Sequence, residues 1–234
     1  TGNNTDENDY VMDEIGKDFE ITNLGGVTHY LGMDIERDRN GRFLISQPLY
    51  IQQIIEEAGL ADAKISKYPI DPGYYKQVGN PIDSNEEYRK FIGMLLYLTI
   101  NSRPDIAASI SILSKRVSNP RDNDVNELKR VIRYLKGTKE LKLTVNDSER
   151  GSKMEAYSDA NWAEDREDRK SNSGYLVQIN GGTIAWCCRK QDIIALSSAE
   201  SEYVALTETS KEVTYLKEVA KGFDIDVSYP VIVN

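Results

Sequence analysis

Hydrophobic and polar positions over the first 140 residues recur mainly at the spacing of amphipathic helices. Helices are predicted at 6–18, 48–58, 85–101, 104–117 and 122–136. In the last of these, Val125, Leu128, Ile132 and Leu135 share one face, and Gly137 follows as a helix stop. This face is therefore expected to be buried.

Two strand-like runs, 28–35 and 42–47, interrupt the helical pattern. The Asn40-Gly41 pair between them favours a hairpin turn, because both residue types tolerate a left-handed backbone. A Pro- and Gly-rich stretch at 66–83 indicates a long connection. The first helix, at 6–18, has Val11 and Ile15 four residues apart on one face.

The pattern changes after residue 140, where alternating strand-like segments begin. Strands are predicted at 141–145, 154–159, 174–179 and 183–188. Asn180-Gly181-Gly182 indicates a hairpin turn between the last two, and a helix is predicted at 198–221. The sequence therefore predicts an α+β or α/β fold of two domains, 1–138 and 139–234, with the break in a charged stretch at 138–150.

Composition places the chain among ordinary globular proteins, with 39% hydrophobic and 29% charged residues. No segment approaches the length of apolar sequence that spans a bilayer, so no membrane partner is expected. The start of the chain is polar and acidic and lacks an initiator Met, which indicates an internal fragment or a processed product rather than a targeting signal. A net charge of −9 argues against non-specific nucleic-acid binding by the whole molecule, but it does not exclude a local basic face.

Such a face is predicted on the helix at 122–136. Lys129, Arg133 and Lys136 lie opposite its apolar stripe, with Arg130 close by. The three cations could follow the phosphates of a nucleic acid. They could equally form a solvated helix face, and the residue pattern by itself favours that interpretation.

Cysteine and histidine contribute little candidate chemistry. Cys187 and Cys188 are adjacent, and neighbours on a strand point to opposite faces, so a disulfide between them is not expected. A reducing compartment fits this pattern. His29 is the only histidine, and we expect a structural role for it.

Two carboxylates stand out by position. Asp159 ends a predicted strand, and Glu202 lies near the start of the helix at 198–221. Carboxylates from a strand end and a facing helix can converge on hard divalent cations, and two such ions hydrolyse phosphodiesters. Taken alone this signal is weak, because 38 acidic residues offer many such pairs and because Glu200 or Glu202 could instead cap the helix.

Longer motifs strengthen the interpretation. The chain reads SDANWAEDREDRKSNSGY from Ser158, then GGTIAW and RKQDIIALSSAESEYVAL. Upstream it contains HYLGMDI, ISQPLYI, FIGMLLYL and RPDIAAS. In this order, and over essentially the whole chain, these segments resemble the Pol polyproteins of copia-type LTR retrotransposons, from the part that follows the polymerase active site into the ribonuclease H domain.

The resemblance implies specific site residues. Asp159 matches the first metal-binding carboxylate of the family's ribonuclease H domain, and Glu202 matches the second, with Glu200 ranked behind it. Two Mg²⁺ ions are implied in the intact site. Asp165 and Asp168 lie in a charged loop and are expected to be solvated rather than metal ligands.

The resemblance also implies an architecture: a primer-grip hairpin at 28–47 and a helical thumb and connection, followed by a truncated ribonuclease H-like mixed sheet with its helix. Arg189 and Lys190 are the candidates for contacts to the backbone of an RNA–DNA hybrid. Six apolar or aromatic side chains are expected mainly in the core rather than on nucleic acid: Tyr30, Leu31, Tyr97, Leu98, Trp162 and Trp186.

Both ends of the chain fall close to motifs that the family requires. The third ribonuclease H carboxylate is expected in an Asp-Asn pair shortly after Asn234, and the polymerase Tyr-x-Asp-Asp motif shortly before Thr1. We therefore expect no polymerase activity from this chain and weak or absent nuclease activity, which leaves its status as an enzyme open.

The function implied is a part in reverse transcription: holding primer–template, and ribonuclease H hydrolysis in the intact protein. The implied partners are primer–template, the RNA–DNA hybrid and other parts of the same polyprotein, in cytoplasmic virus-like particles or in the nucleus. One alternative is a non-catalytic remnant or a domesticated nucleic-acid-binding module. Another is an unrelated protein-interaction module, which would require the motif series to be coincidental.

Overall fold

The computed structural model describes residues 4–145, 152–165, 167–228 and 230–234. Within these ranges the chain has an α+β fold in which helices pack with two four-stranded sheets. This confirms the mixed fold class. No helix in the described ranges is both long and apolar enough to cross a membrane.

The first sheet is antiparallel, with strand order β1-β2-β3-β4. Its strands are β1 (His29–Tyr30), β2 (Met33–Arg37), β3 (Phe43–Ser46) and β4 (Leu143–Val145). The single strand predicted at 28–35 is therefore wrong in one respect, because a tight turn divides it. Leu31 and Gly32 both have positive φ, at 47° and 72°, which is the backbone of a two-residue hairpin. The Tyr97 hydroxyl donates a hydrogen bond to the Leu31 carbonyl and holds this turn against a helix.

The sequence pattern groups β4 with the strands of the second half. The structure pairs it instead with β3, with Leu143 opposite Ile45. Five residues separate β4 from the last residue of the preceding helix, enough to return the chain to the first sheet. The division of the chain at residue 138 stays a prediction.

The first region is the part of the chain up to residue 145, and the second region is the part from residue 152 on. Four helices build the core of the first region. They are α2 (Pro48–Glu57), α3 (Glu86–Asn101), α4 (Ala107–Ser114) and α5 (Asp122–Gly137), with short 3₁₀ turns at Tyr74–Lys76 and Pro104–Ile106. The stripe predicted on α5 is confirmed, because Leu128, Ile132 and Leu135 are buried and Val125 packs against them. Leu98 is fully buried, as expected, in the same cluster.

The first helix forms but does not join this core. α1 (Thr5–Gly16) begins after Asn4, whose side chain accepts hydrogen bonds from two backbone N–H groups of the first turn. Val11 and Ile15 are about half exposed, and α1 has no buried residue. Helical spacing correctly predicted the helix, but it could not say whether a partner surface exists for its apolar face.

The second sheet has strand order β7-β6-β5-β8. Its strands are β5 (Met154–Asn161), β6 (Asn172–Ile179), β7 (Gly182–Lys190) and β8 (Ile232–Val233). The pairs β5–β6 and β6–β7 are antiparallel, whereas β8 runs parallel to β5. The predicted turn between β6 and β7 is confirmed, with positive φ at Asn180 and Gly181.

One face of this sheet is covered by α6 (Ser198–Gly222). Met154 and Ala156 of β5 and Val177 of β6 meet Val213 and Ala220 of the helix in a small buried cluster. Because side chains alternate along a strand, the odd-numbered residues of β5 point to the opposite face.

That opposite face meets α3 and α4 of the first region. The Trp186 indole N–H donates to the Thr99 carbonyl at 2.8 Å, and Cys188 is hydrogen-bonded to Ser111. Cys187 instead lies near Arg189 and Glu212 on the α6 side. The two cysteines are free and point to opposite faces, as predicted.

Candidate functional site

Asp159 lies near the end of β5, on the face that points away from α6. Strand register sets it opposite Gly174 of β6, which in turn is opposite Cys188 of β7. The carboxylate is exposed and lines a cleft of about 390 Å³. The far wall of this cleft belongs to the first region and includes Ala107, Ala108 and Ile112.

Polar groups gather at the Asp159 end of the cleft. Asn161 donates a hydrogen bond to Glu164, and burial raises the pKa of the Glu164 carboxyl. Asn172, opposite Asn161 in the ladder, accepts a hydrogen bond from the Lys115 ammonium of the first region at 2.5 Å. The cleft therefore combines an apolar wall with a polar end that holds two carboxyl groups and amides.

Glu202 lies in the first turns of α6 and is exposed, directly after the buried Ser201. Glu200 has a different role. Its carboxylate accepts the Leu196 backbone N–H at 2.6 Å, while its own N–H donates to the hydroxyl of the N-cap Ser197 at 3.1 Å. The capping role left open for the two glutamates therefore belongs to Glu200.

The relative position of Asp159 and Glu202 follows from Gln191, which joins β6 to the start of α6. The Gln191 side-chain amide donates to the Ser173 hydroxyl at 2.8 Å and to the Ser201 carbonyl at 2.9 Å. Because Ser173 pairs with the residue after Asp159, the start of α6 lies at the Asp159 end of the sheet. Asp159 and Glu202 thus lie at one end of the sheet, with Asp159 on one face and the helix that carries Glu202 on the other.

The arrangement does not form a closed set of metal ligands. Among the described residues, no group of three or more His, Cys, Asp or Glu side chains is gathered to hold a metal ion. Both carboxylates are hard oxygen ligands of the kind that Mg²⁺ prefers. Their assignment as catalytic and metal-binding residues stays a prediction.

The loop after β5 differs from its predicted solvated state. Asp165 is buried, and Lys190 donates hydrogen bonds to Asp165 at 2.7 Å and to Asp168 at 2.5 Å. Burial is the largest single influence and opposes ionisation of both carboxyl groups, but the contacts to Lys190 and the hydrogen bonds from backbone N–H groups together lower the pKa of each. The expectation of solvation was wrong for Asp165, because a loop sequence does not reveal a cation contributed by a distant strand.

The predicted nucleic-acid contacts are largely engaged within the protein. Lys190 is held by two carboxylates, and Arg189 pairs with Glu208 of α6. On α5, the Lys136 ammonium donates to the carbonyls of Ala61 and Ala63, whereas Lys129 is exposed and Arg133 is partly buried. These contacts reduce the charge available to phosphates, and nucleic-acid binding at the five positions stays a prediction.

The expectation of burial failed for three side chains. Trp162 is 46% exposed, although its indole N–H donates to the Ala195 carbonyl at 3.0 Å, and Tyr30 and Leu31 are more than half exposed. Trp186 and Tyr97 are partly buried. Sequence reasoning also missed Lys115 and Asn172, because a lysine at a helix end and an asparagine in a strand carry no signal of their pairing.

Comparisons with known proteins define the class. No family model matches the chain. Over 215 residues it is 34% identical to the retrovirus-related Pol polyprotein from transposon TNT 1-94 of Nicotiana tabacum, a match that covers 87% of this chain and 16% of the polyprotein. It is 31% identical to the corresponding polyprotein from transposon RE2 of Arabidopsis thaliana, covering 100% of this chain and 16% of the polyprotein.

A third relative is much shorter. The uncharacterized mitochondrial protein AtMg00810 of Arabidopsis thaliana is 32% identical over 203 residues, a match that covers 86% of this chain and 83% of that protein. Together these matches identify a retroelement protein. The chain belongs to the family of copia-type retrotransposon Pol polyproteins, and it spans about 16% of the length of each of the two polyproteins named above.

Proposed function

We propose that this chain acts in reverse transcription, holding primer–template with its first region and contributing to ribonuclease H hydrolysis of RNA–DNA hybrids with its second. One observation carries the proposal: Asp159, on strand β5, and Glu202, on α6, lie at the same end of the second sheet. The chain is also a member of the Pol family. The two exposed carboxylates match the chemistry of divalent-metal phosphodiester hydrolysis.

The donor chemistry fits magnesium, but a further ligand is needed. Asp159 and Glu202 would hold the metal through carboxylate oxygens. When bound, two Mg²⁺ ions supply an activated water on one side of the phosphodiester and charge stabilisation on the other. The exposure of both carboxylates leaves them accessible to a hybrid.

The parallel pairing of β8 suggests where a third carboxylate would come from. Val233 is opposite Ala156, and the Ser158 N–H donates to the Asn234 carbonyl at 2.9 Å. If this register continues in a longer Pol protein, the second residue after Asn234 lies level with Asp159. An Asp-Asn pair shortly after Asn234, as the resemblance implies, would therefore supply its carboxylate beside Asp159.

The first region offers a surface for primer–template at the β1–β2 turn. Tyr30 is 58% exposed and Leu31 is 66% exposed, so both side chains can contact a sugar or base. The Tyr97 hydroxyl and the paired strands hold the turn in position. This exposed tip, held by Tyr97 and by strand pairing, supports the proposed role in holding a primer end.

The test uses a longer Pol protein in which β8 continues past Asn234 through the expected Asp-Asn pair. We expect Mg²⁺-dependent cleavage of the RNA in an RNA–DNA hybrid, and loss of that cleavage in Asp159→Asn. Glu155→Gln is the matched control, because Glu155 lies on the same strand and face and pairs only with a neighbouring lysine, Lys153, among the ion pairs of the described residues. Its cleavage rate should be unchanged.

Two outcomes contradict the proposal. Equal loss in both variants would mean that cleavage depends on strand stability rather than on Asp159. No cleavage by the extended wild-type protein, combined with salt-sensitive hybrid binding, would favour the non-catalytic remnant instead.

A further inference from the structure

Besides the apolar wall of the cleft, the first region contributes a charged side chain that is hydrogen-bonded at the candidate site of the second. Lys115, directly after α4, donates from its ammonium to the Asn172 side-chain oxygen at 2.5 Å. Asn172 is 94% buried, at 6% exposure, and begins β6. A buried amide oxygen that lost this donor would carry an uncompensated desolvation cost.

Asn172 is close to the candidate carboxylate along the ladder. It pairs with Asn161, two residues after Asp159 and on the same face of the sheet. Asn161 in turn holds Glu164 at the start of the loop that separates β5 from β6. Lys115 is therefore connected to the end of β5 that carries Asp159 through Asn172 and the last pair of the β5–β6 ladder.

The charges around Lys115 fit a positioning role rather than a simple surface ion pair. Burial and the neighbouring Lys190 lower the pKa of the Lys115 ammonium, whereas Asp165 and Asp168 oppose that shift. The two aspartates form their ion pairs with Lys190, whereas Lys115 donates its hydrogen bond to the neutral amide of Asn172.

We propose that Lys115 is a positioning residue through which the first region fixes the Asp159 end of β5, so that the ribonuclease H site is incomplete without the preceding helical region. The inference rests on the proposed function for its catalytic consequence. Its structural consequence is independent of catalysis, because it concerns the local stability of residues 158–161 and 172–174 in this chain.

The first experiment measures amide hydrogen exchange by mass spectrometry on this chain, without metal. In Lys115→Met, exchange at 158–161 and 172–174 should rise roughly tenfold, because the local opening of the ladder end becomes easier. Lys115→Arg should restore most of the protection. The matched control is Arg116→Gln, which removes the neighbouring cation and its bonds to the exposed Glu167 across the same junction and to Tyr74 within the first region.

The second experiment measures hybrid cleavage in the C-terminally extended protein. In Lys115→Met, kcat should fall roughly five- to tenfold while KM changes less than about twofold, as expected when a catalytic group is mispositioned but the substrate still binds. Arg116→Gln should leave both constants unchanged, and Lys115→Arg should recover kcat.

The outcomes separate this inference from the proposed function. If the extended wild-type protein does not cleave a hybrid, the proposed function fails and the exchange data alone decide the positioning role. If it cleaves, but Lys115→Met matches Arg116→Gln in both exchange and kcat, the inference is overturned. A uniform rise in exchange over β5, β6 and β7 would also overturn it, by showing only a general loss of stability.

Discussion

The core of the first region and the layer under α6 are both buried, but different side chains fill them. Between α2 and α5 the core consists mainly of large aliphatic residues, with Ile54, Leu95, Leu98 and Leu135 fully buried. Under α6 the buried apolar cluster is smaller, with Met154, Ala156 and Val177 of the sheet against Val213 and Ala220 of the helix. The other buried positions there are small or polar: Ser201, Ala205 and Thr209 on the helix, and Ser171, Ser173 and Gln191 on the sheet and its loops.

The two regions therefore differ in what stabilises them, and the candidate carboxylates lie in the region with less apolar packing. Large aliphatic side chains bury more apolar area, so the helical region should hold most of the hydrophobic stabilisation. The second region depends more on hydrogen bonds, such as those from Gln191 to Ser173 and Ser201, and on its junction with the first. Near the candidate carboxylates, buried polar residues occupy positions that apolar side chains fill in the first region.

The largest effect should come from opening the aliphatic core. Leu98→Ala is expected to lower the free energy of unfolding by about 4 kcal/mol, because it removes fully buried methyl groups and leaves a cavity. Urea unfolding followed by far-ultraviolet circular dichroism measures it. Leu49→Ala, at a 78% exposed position on α2, is the control and should change stability by less than about 0.5 kcal/mol. Similar losses in both variants would refute the description of this core.

The corresponding change in the second region should cost less. Val177→Ala removes two buried methyl groups from the smaller cluster and should cost about 2 kcal/mol. Trp162 and Trp186 are the only tryptophans of the chain, so intrinsic fluorescence reports on this region. A loss as large as that of Leu98→Ala would show that the two layers contribute equally.

The polar contacts of the second region can be tested through pH. Lys190→Met should destabilise the chain by about 1–2 kcal/mol at neutral pH, because it leaves the buried Asp165 carboxylate without its cation. The pKa values of Asp165 and Asp168 are lowered in the folded protein, so the stabilisation is fully present above their unfolded pKa of about 3.9 and is lost as pH falls through the folded values. The difference between wild type and variant should begin to close below about pH 5. A difference that stays constant from pH 7 to about pH 3 would contradict this pairing.

The smallest effect tests a turn. Gly181 has φ of +79°, so Gly181→Ala should cost about 1 kcal/mol through backbone strain in the β6–β7 hairpin. Gly26→Ala is the control, because a Cβ there has no neighbour within 4 Å and its φ is not positive. Thermal unfolding should separate the two variants, and equal midpoints would argue against a left-handed backbone at Gly181.

Local sequence determined most of the elements. Helical spacing and stop residues set α2, α3, α5 and α6 to within a few residues, and Asn-Gly pairs marked both longer hairpins, because these signals act over a few neighbouring residues. The motif series by itself also indicates the Pol family, which the similarity to known Pol polyproteins confirms.

Only the tertiary structure decided which surfaces meet. It divided the predicted 28–35 strand at Leu31-Gly32, assigned β4 to the first sheet and left the apolar face of α1 exposed. It also paired Lys190 with Asp165 and Lys115 with Asn172, and set Asp159 on the face away from α6. The two side-chain pairs join residues 25 and 57 positions apart, and such pairings depend on how the elements pack rather than on any local preference of the chain.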